Sequence, residues 1–274
     1  MTCLIQQYSQ TLSRGSMATV KSSLRKIAEN NSLGNWSSIT GEDLKTIRGD
    51  LMRYAGTTRR KMASIFLKFL EYLVKQRKIQ PNIYSTARTL LRFPREVSLE
   101  KHFRLVTIND LNKMLGIMPG IRGARDQAIV AVAYTVGLKR YEIVELALDD
   151  YKEGNLRIRD LTLQLPARVC ALLDEWVSKR GDVPGPLFCI INGQNVPWPD
   201  EPMCGQNIQA IVTRLSELAG IGRIYPSDLR ASFIARQLES GKNPEWVRKV
   251  VGHKSIITTM NYGLSEVDEK LEDI

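Results

Sequence analysis

The sequence predicts a mainly α-helical protein built from an N-terminal helical module and a C-terminal mixed α-helical module with a small antiparallel β-sheet. Three observations lead there. From about Thr57 to Gln76, the residues Met62, Ile65, Phe66, Phe69, Leu70 and Leu73 recur at helical spacing and form an apolar stripe. Asn155-Leu-Arg-Ile-Arg and Leu161-Thr-Leu-Gln-Leu alternate apolar and polar residues around Asp160, which reads as a hairpin. Charge is divided along the chain: residues 1–95 hold 17 Lys+Arg against 5 Asp+Glu, and the remainder hold 22 against 24. One strongly basic module is therefore joined to a near-neutral one.

The chain has 274 residues, room for one large domain or two ordinary ones, and its 43% hydrophobic content suits a globular core. The formal charge of +10 points to a polyanionic partner, most often nucleic acid, because neutralised phosphates release counterions. Cys3, Cys170, Cys189 and Cys204 form no C-x-x-C pair, and His102 and His253 are the two histidines, which argues against a metal site. Scattered thiols fit a reducing cytoplasm. No apolar run is long enough to span a bilayer, and Met1-Thr-Cys-Leu-Ile-Gln-Gln lacks the pattern of a signal peptide.

The first module, residues 1–95, reads as helical throughout. Thr40 caps a helix whose first turn carries Glu42 and Asp43, both suited to the positive end of the helix dipole. The stripe over Thr57–Gln76 marks the strongest helix. Arg59, Arg60, Lys61, Lys68 and Lys75 lie off the stripe or at the helix start, and Arg59, Arg60, Lys61 and Lys68 are candidates to contact phosphates. Pro81 is expected to stop this helix, with a short one near Ser85–Leu91. Phe93-Pro-Arg-Glu breaks the helical pattern, and residues 96–103 read as a linker.

The second module, residues 104–274, alternates helices with a few strands. Thr107 caps Asn109–Leu115, Arg125–Val136 is apolar enough to be buried, and another helix covers Tyr141–Leu146. After the hairpin, Pro166–Lys179 is helical and Gly181–Pro202 reads as a Gly/Pro-rich loop. Helices follow over about Gln206–Leu218 and Leu229–Ser240. Gly241 stops the second of these, and Pro244 starts the next.

The chemistry concentrates near the C-terminus. Arg230 lies in Tyr225-Pro-Ser-Asp-Leu-Arg-Ala-Ser-Phe, and His253 and Tyr262 lie in Val251-Gly-His-Lys-Ser-Ile-Ile-Thr-Thr-Met-Asn-Tyr. A phenol can attack a phosphodiester while a guanidinium and an imidazole stabilise the charge that builds on phosphorus. These segments resemble the tyrosine recombinase (phage integrase) family. Trp36, Ile39-Thr-Gly-Glu-Asp-Leu, Gly56-Thr-Thr-Arg-Arg-Lys-Met and Phe66-Leu-Lys-Phe-Leu-Glu-Tyr-Leu also look like that family's helical core-binding domain.

The resemblance implies that Tyr262 forms a 3′-phosphotyrosyl link, with Arg230 and His253 gripping the phosphate. It further implies double-stranded DNA as partner, a tetramer of subunits at the synapse, scope for accessory DNA-bending proteins, and neither cofactor nor metal. Three positions depart from the family pattern. In Gly137-Leu-Lys139-Arg140-Tyr-Glu142 a lysine stands where the family has its first arginine. Arg140, one residue on, points about 100° around the helix and is counted among the DNA contacts. Ser227 replaces the histidine of the family's His-x-x-Arg, either donating to phosphate or capping a helix that begins at Leu229. The hairpin lysine that serves the family as general acid is missing, and Arg159 is the nearest candidate. Beyond the nucleophile, Leu264, Val267, Leu271 and Ile274 form an apolar stripe that docks on its own domain or on a neighbouring subunit. Two other functions remain open: a recombinase-like DNA-binding or accessory protein with impaired catalysis, and a monomeric topoisomerase.

Overall fold

The computed structural model describes residues 2–12, 14–94 and 103–263. Most of the expected 96–103 linker and the whole Leu264–Ile274 stripe lie outside the described residues. The chain divides into two compact units, residues 1–99 and 100–274.

The first unit contains α1 (Thr2–Gln10), α2 (Arg14–Asn30), a 3-10 turn at Trp36–Ser38, α3 (Gly41–Leu51), α4 (Gly56–Lys75) and α5 (Pro81–Leu90). The apolar stripe of α4 is the spine of its core: Met62, Phe66, Phe69, Leu70 and Leu73 are buried, and Ile65 is half-buried. Trp36 is fully buried and meets Phe69 edge-on at a centroid distance of 5.1 Å, a favoured aromatic geometry. Thr40 caps α3 through a reciprocal box, its Oγ1 accepting from the Asp43 N–H at 3.3 Å and its own N–H donating to Asp43 Oδ2 at 2.8 Å. Pro81 starts α5 rather than stopping α4. The stop is Arg77, in the left-handed region at φ 54°, with the Lys78 N–H bonded back to Leu73 O. Proline is well placed at a first helical position, where its missing N–H has no partner to lose.

The second unit runs α6 (Ile108–Leu115), α7 (Gly120–Val136), α8 (Arg140–Glu145), a 3-10 turn at Leu148–Asp150, β1 (Tyr151–Lys152), β2 (Asn155–Ile158), β3 (Leu161–Gln164), α9 (Ala167–Arg180), β4 (Cys189–Ile191), β5 (Pro197–Pro202), α10 (Gly205–Leu218), α11 (Pro226–Glu239), α12 (Pro244–Val251) and α13 (Ile256–Met260). The sheet order is β1-β2-β3, antiparallel, with Leu156 opposite Leu163 and Arg157 opposite Thr162. α7 is the central helix. Its Ala128–Val136 stretch is buried except for Thr135, and it packs against α9, α11 and α6. It begins at Gly120, five residues before the expected start. At its base the buried Asp126 carboxylate accepts from Arg125 at 2.8 Å and Arg214 at 2.5 Å.

Two further expectations are corrected. The segment 181–202 is not wholly loop, because β4 and β5 pair within it, with a register shift at Cys189/Ile190. The prolines of Pro197-Trp-Pro-Asp-Glu-Pro conceal a strand from pattern reading, and such residues are tolerated where a strand has an open edge. α11 begins at Pro226, three residues before Leu229, with Asp228 Oδ2 accepting the Tyr225 N–H at 2.8 Å. No helix among the described residues is long and apolar enough to cross a membrane.

Candidate active site

The second unit brings five of the six predicted catalytic residues, all but Ser227, to one place from four parts of the chain. The α7–α8 junction supplies Lys139 and Glu142, the β2–β3 turn supplies Arg159, α11 supplies Arg230, and the segment from the end of α12 supplies His253 and Tyr262.

Arg230 is the fixed point. It is only 6% exposed, and its guanidinium donates from Nη1 to Gly137 O at 2.6 Å and from Nη2 to Val251 O at 2.7 Å. Two helix ends are thereby tied to α11 by one side chain. Burial pushes its pKa below the ordinary arginine value, while Glu142 and the Tyr262 phenol oppose that shift. Gly137 makes the approach possible. It ends α7 in the left-handed conformation (φ 69°), and a Cβ there would stand 2.5 Å from Phe233 Cδ1.

Glu142 is the anionic hub. Its Oε2 accepts the Lys139 backbone N–H at 2.8 Å and lies 3.9 Å from Arg230 Nη1. Its Oε1 lies 3.7 Å from Lys139 Nζ and accepts from Arg159 Nη2. Lys139, Arg159 and Arg230 outnumber this carboxylate, so the cluster is net positive and suited to an anion. Arg159 sits in the left-handed region at φ 53° on the turn between β2 and β3 and also donates to Val250 O. The β2–β3 turn thus carries a guanidinium held between Glu142 and the end of α12. Lys139 keeps its ammonium at the cluster, 3.3 Å from the Tyr141 hydroxyl.

α12 ends at Gly252, left-handed at φ 67°, where a Cβ would meet the Arg159 guanidinium at 2.7–2.9 Å. His253 follows. Its Nδ1 is 2.9 Å from Thr259 Oγ1, which fixes the ring's rotation, and the Arg248 guanidinium holds its carbonyl at 2.8 Å. The Tyr262 ring stacks on His253 with centroids 5.7 Å apart and an interplanar angle of 19°. It also stacks on Phe103 at 4.9 Å and 18°. Tyr262 is half-buried, and burial raises its phenol pKa while the Arg230 charge pulls it down.

A sequence signature described as the phage integrase family matches residues 104–268. The chain belongs to that family. Among curated relatives, the tyrosine recombinase XerC of Herpetosiphon aurantiacus is 27% identical over 253 residues, covering 86% of this chain and 78% of its own. XerC of Shewanella amazonensis is 25% identical over 241 residues, covering 83% of this chain and 77% of its own. Among solved structures, a lambda integrase dimer bound to a core site superposes with a TM-score of 0.68 at 12% identity, covering 100% of this chain and 98% of that one. The XerH recombinase bound to its difH substrate gives 0.67 at 15%, covering 96% and 82%. These likenesses establish a shared fold.

Within this phage integrase fold, Lys139, Arg159 and Arg230 surround Glu142, and His253 and Tyr262 stack beside Arg230. Ser227 is exposed in the first turn of α11, one turn before Arg230. Because Asp228 takes the cap bond, the expectation that Ser227 caps a helix starting at Leu229 is corrected. Arg140 turns away, donating to Gln209 Oε1 at 2.8 Å and lying over Gly205 of α10. In the first unit, Lys61 and Lys68 are exposed. Arg60 Nε bonds back to Gly56 O at 3.3 Å. Arg59 donates to Tyr54 O at 3.1 Å and lies 5.6 Å over the Phe93 ring. Arg60, Lys68 and Arg92 line one groove of about 260 Å³. The sequence pattern singled out neither Arg92 nor Phe103, and it held Glu142 and Thr259 within motifs without giving either a part in the site. Glu142 had a signal in its three-residue spacing from Lys139, the spacing of a capping contact; Phe103 had none. Among the described residues, no cluster of His, Cys, Asp or Glu could hold a metal.

Proposed function

We propose that this chain is a site-specific DNA recombinase that cuts and rejoins duplex strands through a 3′-phosphotyrosyl intermediate on Tyr262. The observation that carries this is the placement of Tyr262 in stacking contact with His253 and in electrostatic contact with Arg230. In the proposed reaction the Tyr262 oxygen bonds to phosphorus and the bond to the 5′-oxygen breaks. The phenol proton leaves to solvent, and the departing 5′-oxygen takes a proton from the site. Arg230 and His253 donate to the non-bridging oxygens, where preorganised donors are worth about 10²–10³ in rate each. Lys139 supplies a third positive group, and its ammonium can release a proton where a guanidinium holds one too tightly. Ser227 extends donors along the exposed face of α11. The energy of the broken bond is retained in the phosphotyrosine, so the exchange needs neither nucleotide nor metal.

Duplex DNA is the substrate in this proposal, with phosphate contacts from Arg59, Arg60, Lys61 and Lys68 of the basic unit and from Arg140. The related lambda integrase has been solved as a tetramer bound to a Holliday junction, which supports a tetrameric synapse here. A second function, DNA binding without cleavage, is favoured by one observation: Glu142 and main-chain carbonyls already engage Arg159 and Arg230. The experiment is a nicked duplex carrying a site selected by binding from random sequence, followed by a denaturing gel. A protein–DNA adduct lost in Tyr262→Phe is expected. Specific binding with no adduct under any condition would establish the second function instead.

A further inference from the structure

Phe103 is the first described residue of the second unit and lies outside every motif of the site. The chain that follows it is clamped to α11, the helix that presents Arg230. The Val106 N–H donates to the buried Ser232 Oγ at 2.6 Å. Ser232 in turn donates to Asp228 O at 2.7 Å, so the clamp belongs to the helix itself. From this anchored segment the Phe103 ring reaches the Tyr262 ring, 4.9 Å between centroids and 18° from parallel.

Tyr262 needs such an anchor. It follows α13, a helix of five residues whose Ile256, Ile257 and Met260 are exposed. Its backbone N–H is held by Thr259 O at 3.1 Å, one turn back in the same short element. An element this short has little intrinsic stability. Besides its packing against the core of the second unit, the ring is held by the two rings it stacks on, His253 and Phe103. Phe103 also helps exclude water from the phenol, the burial that raises its pKa.

We propose that Phe103 is a positioning residue for the Tyr262 nucleophile, holding the phenol against His253 and Arg230 through a ring stack anchored on α11. The proposal rests on the recombinase function assigned above. Phe103 touches no reacting atom; it acts through Tyr262, and misplacing a nucleophile by about 1 Å can cost about 10² in rate.

The test compares wild type with Phe103→Leu, which keeps apolar bulk without a ring face, and with Phe103→Trp, which restores one. Adduct formation on the nicked duplex, DNA affinity, and nitration of Tyr262 by tetranitromethane (read by peptide mass spectrometry on DNA-free protein) are measured together. For Phe103→Leu the expected result is a fall in adduct rate of about tenfold or more with DNA affinity within twofold. Nitration of Tyr262 is expected to quicken several-fold, and the pH at which cleavage rises is expected to shift downward as the phenol loses its burial. Phe103→Trp should recover at least half of the rate. Equal adduct rates in wild type and Phe103→Leu would overturn the proposal while leaving the recombinase function standing, and so would faster nitration without slower cleavage. A faster adduct rate in Phe103→Leu would make the stack a restraint and overturn it too. A wild-type protein that forms no adduct would overturn both.

Discussion

Replacing Glu142 with glutamine tests the electrostatic logic of the site directly. The substitution keeps shape and an acceptor for the Lys139 backbone N–H, and removes the charge shared by Lys139, Arg159 and Arg230. At the 3.9 Å separation from Arg230, a unit charge pair is worth about 4 kcal/mol at an effective dielectric constant of about 20. Arg230 is nearly inaccessible, so its contribution stands, whereas the Lys139 side chain is 35% exposed and its share is heavily screened. The glutamine dipole and entering water return part of this. A net loss of about 2–3 kcal/mol is expected, somewhat below the usual cost of removing one partner of a fully buried pair. In urea, with an m-value of about 2–3 kcal/mol/M, the unfolding midpoint of the second unit should fall by about 1 M. The same variant should be more sensitive to anions than wild type, with added phosphate or sulfate restoring most of the lost stability by binding the uncompensated cations. The assay is urea unfolding of both proteins with and without sulfate, followed by fluorescence and circular dichroism. A midpoint shift below about 0.2 M, or equal anion sensitivity in the two proteins, would refute the role of Glu142 as counter-ion.

Gly137→Ala should destabilise the second unit by about 2–4 kcal/mol, combining a left-handed backbone with a contact 2.5 Å from Phe233, measured by the same urea midpoint. Lys61→Ala and Lys68→Ala should each reduce the slope of log affinity against log salt by about 1 on duplex DNA and weaken binding evenly across sequences. The Tyr262 phenol has a folded pKa above its unfolded value near 10, so its neutral form contributes stability that is complete below that pH and is lost as pH rises through the folded value. Tyr262→Phe should therefore withstand alkaline unfolding better than wild type above about pH 10, while the two differ little in pH dependence near neutrality.

Helices were the legible part of the fold. The stripe of α4 and the capping pattern at Thr40 are local signals, and the structure reproduces them with boundaries moved by a residue or so. The start of α11 was misplaced because Ser227 is a good cap by residue type, yet Asp228 one position on takes the bond that decides the boundary. β5 was hidden by its prolines, which read as loop until a partner strand is known. Within the site, Arg230, His253 and Tyr262 were visible because the segments that carry them, residues 225–233 and 251–262, resemble the motifs of a known family. The convergence of Arg159 with Glu142 and the carbonyls of Val250 and Val251 was not, because it depends on a hairpin turn meeting a helix end. No one-dimensional spacing encodes that meeting. Phe103 was invisible for the same reason, a single aromatic residue whose meaning lies in the ring it covers.

Gly252 carries a consequence beyond its own turn. The space a side chain would need at that position is already filled by the head group of Arg159. Enlarging it by one methyl would push the guanidinium off Glu142 and disturb the carbonyl that anchors Arg230, with Arg230, His253 and Tyr262 themselves unaltered. Drift at residue 252 is thus policed by an arginine far upstream in the chain, and a variant there would resemble a catalytic lesion while being a collision.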